Sequence, residues 1–130
     1  MGIAGHIHQA DWKTEKHVPV ITCADTVAKG QPLEIEIAVG KNVTHPNTTE
    51  HHIRWIQLFF KPAGGKFIFD LGRFDFPSHG ESPAGTNQGP IHADPVASVH
   101  VRFEESGTLH AVSYCNIHGL WESEKELAVQ

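Results

Sequence analysis

The chain has 130 residues, 39% of them hydrophobic, and a formal charge of -5 when its histidines are neutral. This length and apolar content are typical of one domain, predicted to span residues 1–130, and the acidic balance argues against nucleic acid as a partner because nucleic-acid binders carry a basic excess. No apolar run forms a signal peptide or approaches the roughly 20 residues of a membrane-spanning helix, which predicts a cytoplasmic protein without a membrane partner.

Short runs typical of β-strands follow one another along the chain. In Leu33–Val39 every odd position is apolar, as a half-buried strand requires. Similar runs, rich in β-branched and aromatic residues and separated by turn signals, are Ile53–Phe60, Phe67–Phe76, Val96–Phe103 and Leu109–Tyr114. The Pro77–Pro95 stretch suits turns or loops, and Gly80–Pro90 within it is predicted to be one long surface loop. The pattern predicts an all-β fold, an immunoglobulin-like antiparallel β-sandwich of about seven strands.

The chain contains 11 histidines but only two cysteines, Cys23 and Cys115. Two cysteines do not make a disulfide framework, and Cys23 is interpreted as a small core residue. Cys115 ends an apolar strand, and its three-residue spacing to His118 lets both side chains reach one ion from a turn. Thiolate with imidazole suits zinc, copper or iron. Alone this motif is weak, because a half-buried thiol beside an unrelated histidine has the same spacing.

A second histidine segment is His45-Pro46-Asn47-Thr48-Thr49-Glu50-His51-His52. It has too much Pro, Asn and Thr for a helix, so its histidines are predicted on a loop that enters the following strand. His51 and His52 are neighbours that point in opposite directions on extended backbone. At most one of the two is therefore expected to meet an ion that His45 also binds, and spacing alone leaves the choice open.

A third segment, Asp11–Pro19, contains Glu15, Lys16 and His17. Glu15 and His17 share a parity and are expected to face one point, while Lys16 projects elsewhere. The alternative interpretation of this segment is an ordinary solvated charge run. If all three segments converge, they offer more donors than tetrahedral zinc takes, and five or six ligands favour iron. Blue copper sites generally add an axial Met, and the only methionine is Met1.

The three segments together resemble the superoxide reductases, also called neelaredoxins, and the iron domain of desulfoferrodoxins. The matching residues are Glu15–Pro19, His45–His52 and Ser113–Trp121, in family order, and the likeness runs from about Asp11 to Glu124. Desulfoferrodoxins carry an additional rubredoxin-like site made from four cysteines, which this chain lacks. The resemblance is therefore to the one-iron class.

This resemblance implies a mononuclear non-haem iron with four equatorial histidines and an axial thiolate. By position, the implied ligands are His17, His45, His51, His118 and Cys115. Glu15 is implied to close the sixth position of the oxidised iron, and Lys16 to attract superoxide and assist protonation. The implied activity is the one-electron reduction of superoxide to hydrogen peroxide by an Fe2+/Fe3+ centre. Rubredoxin or a similar small redox protein is the implied electron donor, and a homotetramer is the implied assembly.

Two other classes of function fit the same residues. A binding module would store metal or pass electrons without turning over superoxide, although storage would not need the cation of Lys16. A zinc-stabilised sandwich would use Cys115 and three histidines to hold the fold together. Metal analysis of protein purified without added metal separates the zinc reading from the others.

Some histidines have no predicted role. The stretch Met1–Ala10, with His6 and His8, has no assigned counterpart in the resemblance and is interpreted as a flexible tail rather than a source of ligands. His52 is the neighbour that the resemblance passes over, and His79 lies in the turn-rich Pro77–Pro95 stretch. Neither is assigned to the site.

Overall fold

Two β-sheets pack face to face in the computed structural model, which describes residues 2–130. A 3₁₀ turn at Ile3–His6 precedes the strands. The strands are β1 (Val20–Thr22), β2 (Thr26–Val27), β3 (Pro32–Ala38), β4 (Ile53–Pro62), β5 (Phe69–Asp75), β6 (Val96–Arg102), β7 (Gly107–Cys115) and β8 (Gly119–Val129). Within residues 2–130 there is no helix long and apolar enough to cross a membrane.

The strands divide into a three-stranded and a five-stranded sheet. The smaller sheet has the order β1-β3-β6, and the larger has the order β2-β8-β7-β4-β5. Neighbouring strands in the described part of the chain are antiparallel, except that β2 runs parallel to β8. The predicted all-β sandwich is confirmed, with eight strands instead of about seven and with this one parallel pairing.

Alternating side chains build the core between the sheets. In β3, Leu33, Ile35 and Ile37 are buried, and the glutamates between them face outward. β4 and β7 follow the same alternation, and their buried side chains join those of β3 in one cluster. Each fully buried aliphatic side chain contributes about 1.5–3 kcal/mol. The paired strands β4 and β7 are therefore the rigid centre of the larger sheet.

The predicted strand boundaries agree with β3 to β7 within a few residues, but β1, β2 and β8 were missed. β8 is the longest strand, with 11 residues, and Leu127 is its one buried side chain. Its acidic and basic residues conceal any apolar alternation. Continuous backbone pairing with β7, from Gly107 opposite Leu127 to Cys115 opposite Gly119, holds it in the sheet.

One end of the larger sheet collects three connecting segments. The β4–β7 ladder shifts register between Ile53 and Trp55, next to the point where Ile53 pairs with Cys115. Irregularities of this kind re-aim the chain and are frequent beside functional sites. Gly119 has a φ of 80°, which favours glycine and lets the chain turn directly from β7 into β8. The β3–β4 loop and the segment before β1 reach the same end.

Part of the stretch interpreted as a flexible tail lies against β8, at His8, while Met1 lies outside the described residues. The His8 N–H donates to the Leu120 carbonyl oxygen (3.0 Å), and the Glu122 N–H donates to the His8 carbonyl oxygen (2.9 Å). The His8 ring also lies 4.9 Å from the Trp121 ring, measured between centroids. These contacts fix His8 in place, which the tail interpretation did not anticipate.

Candidate metal centre

Cys115 and His118 lie on the turn that joins β7 to β8. Cys115 is fully buried at the last position of β7, whereas His118 is exposed. The His118 N–H donates to Cys115 Sγ (3.4 Å), and His118 Nδ1 lies 3.8 Å from the same sulfur. The turn thus brings the thiol and the imidazole to one point, as the spacing predicted.

His45 and His51 come from the loop between β3 and β4. His45 is buried, and its Nδ1–H donates to the Pro46 carbonyl oxygen (2.6 Å), which leaves Nε2 free. The His45 and His51 ring centroids lie 4.6 Å apart. His52 points the other way, since its Nδ1–H donates to the Thr48 carbonyl oxygen (2.9 Å). The structure therefore brings His51, not its neighbour, to the cluster.

His17 is buried and is held from several sides. Its carbonyl oxygen accepts a hydrogen bond from Ser113 Oγ (2.9 Å) on β7. Its ring stacks on Trp121, with centroids 4.8 Å apart and planes at 14°, and the Trp121 Nε1–H donates to the His118 carbonyl oxygen (3.2 Å). Sequence reasoning missed these roles of Ser113 and Trp121. Trp121 lay in a matching segment, but nothing in the sequence showed which ring it covers.

The donor atoms of His17, His45, His51 and Cys115 all lie within 4.8 Å of one another. His118 is not in this group, but its Nδ1 lies 3.1 Å from His17 Nε2 and so offers a fifth nitrogen nearby. Nε2 of His45 and Nε2 of His51 are buried, and neither has a hydrogen-bond partner among the described residues. A buried polar atom without a partner costs about 1–3 kcal/mol. An ion among these atoms would satisfy them, and imidazole with thiolate suits a transition metal.

The electrostatics favour neutral imidazoles at His45 and His51. Burial lowers the pKa of His45 to about 4, and nearby positive charge, including that of Lys16, adds to the effect. Burial likewise lowers the pKa of His51, with further contributions from His118 and Lys16. A neutral imidazole is the form that binds metal. Lys16, directly before the buried His17, is half-buried, and its charge contributes to the lowered pKa of both rings.

Glu15 lies beside His17 and is not one of the clustered donors. Its carboxylate accepts hydrogen bonds from His17 Nδ1–H (2.9 Å) and from the His17 backbone N–H. Burial acts to raise the pKa of Glu15, but these hydrogen bonds outweigh it and leave the pKa lowered. An ionised carboxylate on Nδ1 fixes the tautomer and aims Nε2 at the cluster. Glu15 thus orients a candidate ligand here, and its closing of a sixth metal position stays a prediction.

Comparison with known proteins agrees with this arrangement. A profile of the desulfoferrodoxin family matches residues 9–124. The chain belongs to the desulfoferrodoxin family. It is 50% identical to the neelaredoxin of Megalodesulfovibrio gigas over 121 residues, which cover 93% of each chain. It is 46% identical to the superoxide reductase of Pyrococcus furiosus over 125 residues, which cover 96% of this chain and 98% of that one.

Solved structures of the desulfoferrodoxin family share the fold. The structure of the superoxide reductase (neelaredoxin) from Archaeoglobus fulgidus in the reduced form has a TM-score of 0.87 and 51% identity, covering 94% of this chain and 98% of that one. The resemblance drawn from the three segments is therefore confirmed. The match to the family profile begins at residue 9, so most of the stretch interpreted as a flexible tail, residues 1–10, precedes it.

Two other groups of this chain lie outside the cluster. His52 and His79 stack with ring centroids 3.5 Å apart and planes at 6°, and His79 Nδ1–H donates to Asn47 Oδ1 (3.0 Å). Cys23 is partly buried and packs against the core, as interpreted from the sequence. Burial raises the pKa of its thiol, which makes it a poor nucleophile at neutral pH.

Proposed function

We propose that the chain is a superoxide reductase, which reduces superoxide to hydrogen peroxide by one electron at a mononuclear iron. The observation that carries the proposal is the pair of buried, unpaired Nε2 atoms of His45 and His51 beside the buried thiol of Cys115. Buried nitrogen atoms that lack hydrogen-bond partners and lie beside a thiol are suited to bind a cation. Relatives between 46% and 51% identical are named superoxide reductase or neelaredoxin, which supports iron and superoxide in particular.

Five donors form the proposed ligand set. They are His17, His45, His51, His118 and Cys115, and each lies close to at least one other member. Structural zinc takes four ligands in a tetrahedron, so a fifth donor disfavours it. Blue copper would add an axial Met, and the only methionine, Met1, is not in the described residues. Iron fits this set of borderline and soft donors best.

The reaction joins one electron and two protons to each superoxide to give one hydrogen peroxide. When bound, the iron supplies that electron by passing from Fe2+ to Fe3+. The Cys115 thiolate donates electron density through sulfur, and the His118 N–H that points at the sulfur moderates this donation. The imidazole ligands add no negative charge that would repel the anion.

Lys16 is proposed to attract superoxide. The chain carries a formal charge of -5, so attraction cannot come from the net charge and must be local. The positive charge of Lys16 contributes to the lowered pKa of both His45 and His51, which supports a role close to the proposed metal. From there it can also steer protons, through water, to the reduced product.

Glu15 is proposed to have two roles. In the structure it holds His17, and in the oxidised protein it is proposed to move to the sixth metal position. Both roles need an ionised carboxylate, and its hydrogen bonds from His17 favour that form. Moving to the metal would require Glu15 to leave His17 Nδ1, so the two roles exclude each other in time.

The partners and the assembly are also proposed. The chain shows no flavin, nicotinamide or haem attachment motif, so re-reduction is assigned to rubredoxin or a similar small redox protein. A homotetramer is the proposed assembly, and self-association is supported by the edge strand β5, which begins at Phe69 (55% exposed) directly after the exposed Phe67 (72%) and Ile68 (53%). Exposed apolar residues on an open edge favour association. The proposed location is the cytoplasm.

One stoichiometric experiment tests the activity. Anaerobically reduced, iron-loaded protein is mixed with a known dose of superoxide, and peroxide, oxygen and ferric iron are measured in the same sample. One peroxide per superoxide, equal ferric iron and no oxygen would establish the reductase. Oxygen at half the superoxide consumed would mean dismutation, and loss of superoxide no faster than in buffer would leave a metal-binding or electron-transfer module.

A further inference from the structure

Asn116 lies in the turn between Cys115 and His118, and its side chain reaches the loop that carries His51. Its Oδ1 accepts a hydrogen bond from the His52 backbone N–H (2.8 Å), and its Nδ2 donates to the Glu50 carbonyl oxygen (2.8 Å). Its own backbone N–H donates to the His52 carbonyl oxygen (3.2 Å). Asn116 thus binds the backbone immediately before and immediately after His51.

These contacts require an amide at this position. One side-chain atom must accept and the other must donate, and among short side chains only Asn offers both from one planar group. Aspartate would retain the acceptor facing His52 but lose the donor facing Glu50. Alanine would lose both and would leave two backbone groups of the loop without their partner.

The regular backbone pairing between β4 and β7 is interrupted close to the hydrogen bonds that Asn116 makes. The β4–β7 ladder pairs Ile53 with Cys115 but shifts register before Trp55, so regular sheet pairing is interrupted just where the loop joins β4. Within the loop, the His51 N–H donates to Thr48 Oγ1 (3.1 Å), a local bond that cannot fix the loop relative to β7. Asn116 supplies the connection between the loop and the turn that carries Cys115.

We propose that Asn116 is a positioning residue, which holds His51 at the correct distance from Cys115 and His118 by clamping the backbone on both sides of His51. It touches no reacting atom, and its effect passes through the orientation of His51. This inference rests on the proposed metal site, but it does not depend on superoxide chemistry.

The test measures affinity for Co²⁺, whose thiolate band also reports binding through Cys115. Asn116→Ala and Asn116→Asp are made in the natural chain and in a His51→Ala background, and each is titrated with Co²⁺ anaerobically. Outer-shell partners of metal ligands typically contribute 10- to 100-fold to metal affinity. We expect roughly that loss for Asn116→Ala, a smaller loss for Asn116→Asp, and less than about threefold loss for either substitution once His51 is absent.

Asn87→Ala is the matched control. Asn87 also contacts the loop, through the Glu50 carboxylate (2.9 and 3.1 Å) and the Thr49 N–H (2.8 Å), but it does not bind the backbone flanking His51. An equal loss for Asn116→Ala in both backgrounds, or a comparable loss for Asn87→Ala, would overturn the proposal, as would unchanged affinity. Circular dichroism of the metal-free proteins checks that each variant folds. If Asn116→Ala does not fold, the nearly isosteric Asn116→Asp variant still tests the proposal. A natural chain that binds no Co²⁺ would instead refute the metal site.

Discussion

Removing the Glu15 carboxylate should weaken metal binding. In the structure this group accepts hydrogen bonds from both Nδ1 and the backbone N–H of His17, and its side chain is 26% exposed. Without it, the His17 ring loses the partner that fixes its tautomer. Such outer-shell losses cost roughly 10- to 100-fold in metal affinity, or about 1.4–2.7 kcal/mol at 1.36 kcal/mol per tenfold. Glu15→Ala should show this loss. Glu15→Gln, which keeps one oxygen acceptor, should lose at most about tenfold.

The assay is competition for Fe²⁺ against a chelator of known affinity under anaerobic conditions. Glu105→Ala, which removes an exposed carboxylate, serves as the control and should bind Fe²⁺ as tightly as the natural chain. Natural affinity in Glu15→Ala, or a Gln variant as weak as the Ala variant, would refute the reasoning that Glu15 acts by holding His17. The ferric visible spectrum of the same variants separately reports whether Glu15 reaches the sixth position.

Three further outcomes are expected. Lys16→Glu should slow the reaction with superoxide about tenfold at low ionic strength and less at high salt, and an equal rate at low salt in a stopped-flow measurement would remove the steering role. Leu58→Ala should lower the free energy of unfolding by about 2–5 kcal/mol in urea titrations, because Leu58 is 0% exposed; a loss under about 1 kcal/mol would contradict its place in the core. Burial, with the charge of His52, lowers the pKa of His79 below its ordinary 6.5. As the pH falls through 6.5, the unfolded chain therefore takes up a proton at His79 that the folded chain does not, and the free energy of unfolding decreases. His79→Gln should lose less stability between pH 7 and pH 5 than the natural chain, and equal losses would show that His79 does not carry the effect.

Much of the fold could be predicted because burial on one face leaves an alternating pattern. β3 shows it plainly, since Leu33, Ile35 and Ile37 face the core while glutamates face outward. β8 could not be predicted in this way, because it is held mainly by backbone bonds to β7 and buries only Leu127. Backbone hydrogen bonds do not require particular side chains, so a strand held in this way shows no alternating sequence pattern from which it could be predicted.

The candidate site divides in a similar way. The three donor segments could be predicted from their residue types, but the choice of His51 over His52 needed the resemblance. The structure gives its physical reason, since the His52 ring is held by the Thr48 carbonyl oxygen and stacks on His79. The supporting contacts of Ser113 and Trp121 join parts of the chain about a hundred residues apart, and they follow from packing that no local pattern encodes.

The gathering of donors from three distant segments has a consequence for how the metal would leave. His17 and His118 are separated by 101 positions in the chain, yet their ring nitrogens lie 3.1 Å apart. Local opening of the N-terminal segment, of the β3–β4 loop or of the β7–β8 turn would each detach at least one donor. Opening free energies differ between segments of a protein, and the least stable segment opens most often. The dissociation rate of the metal would then follow the opening of that weakest segment, and hydrogen exchange of its amides would slow in step with metal retention.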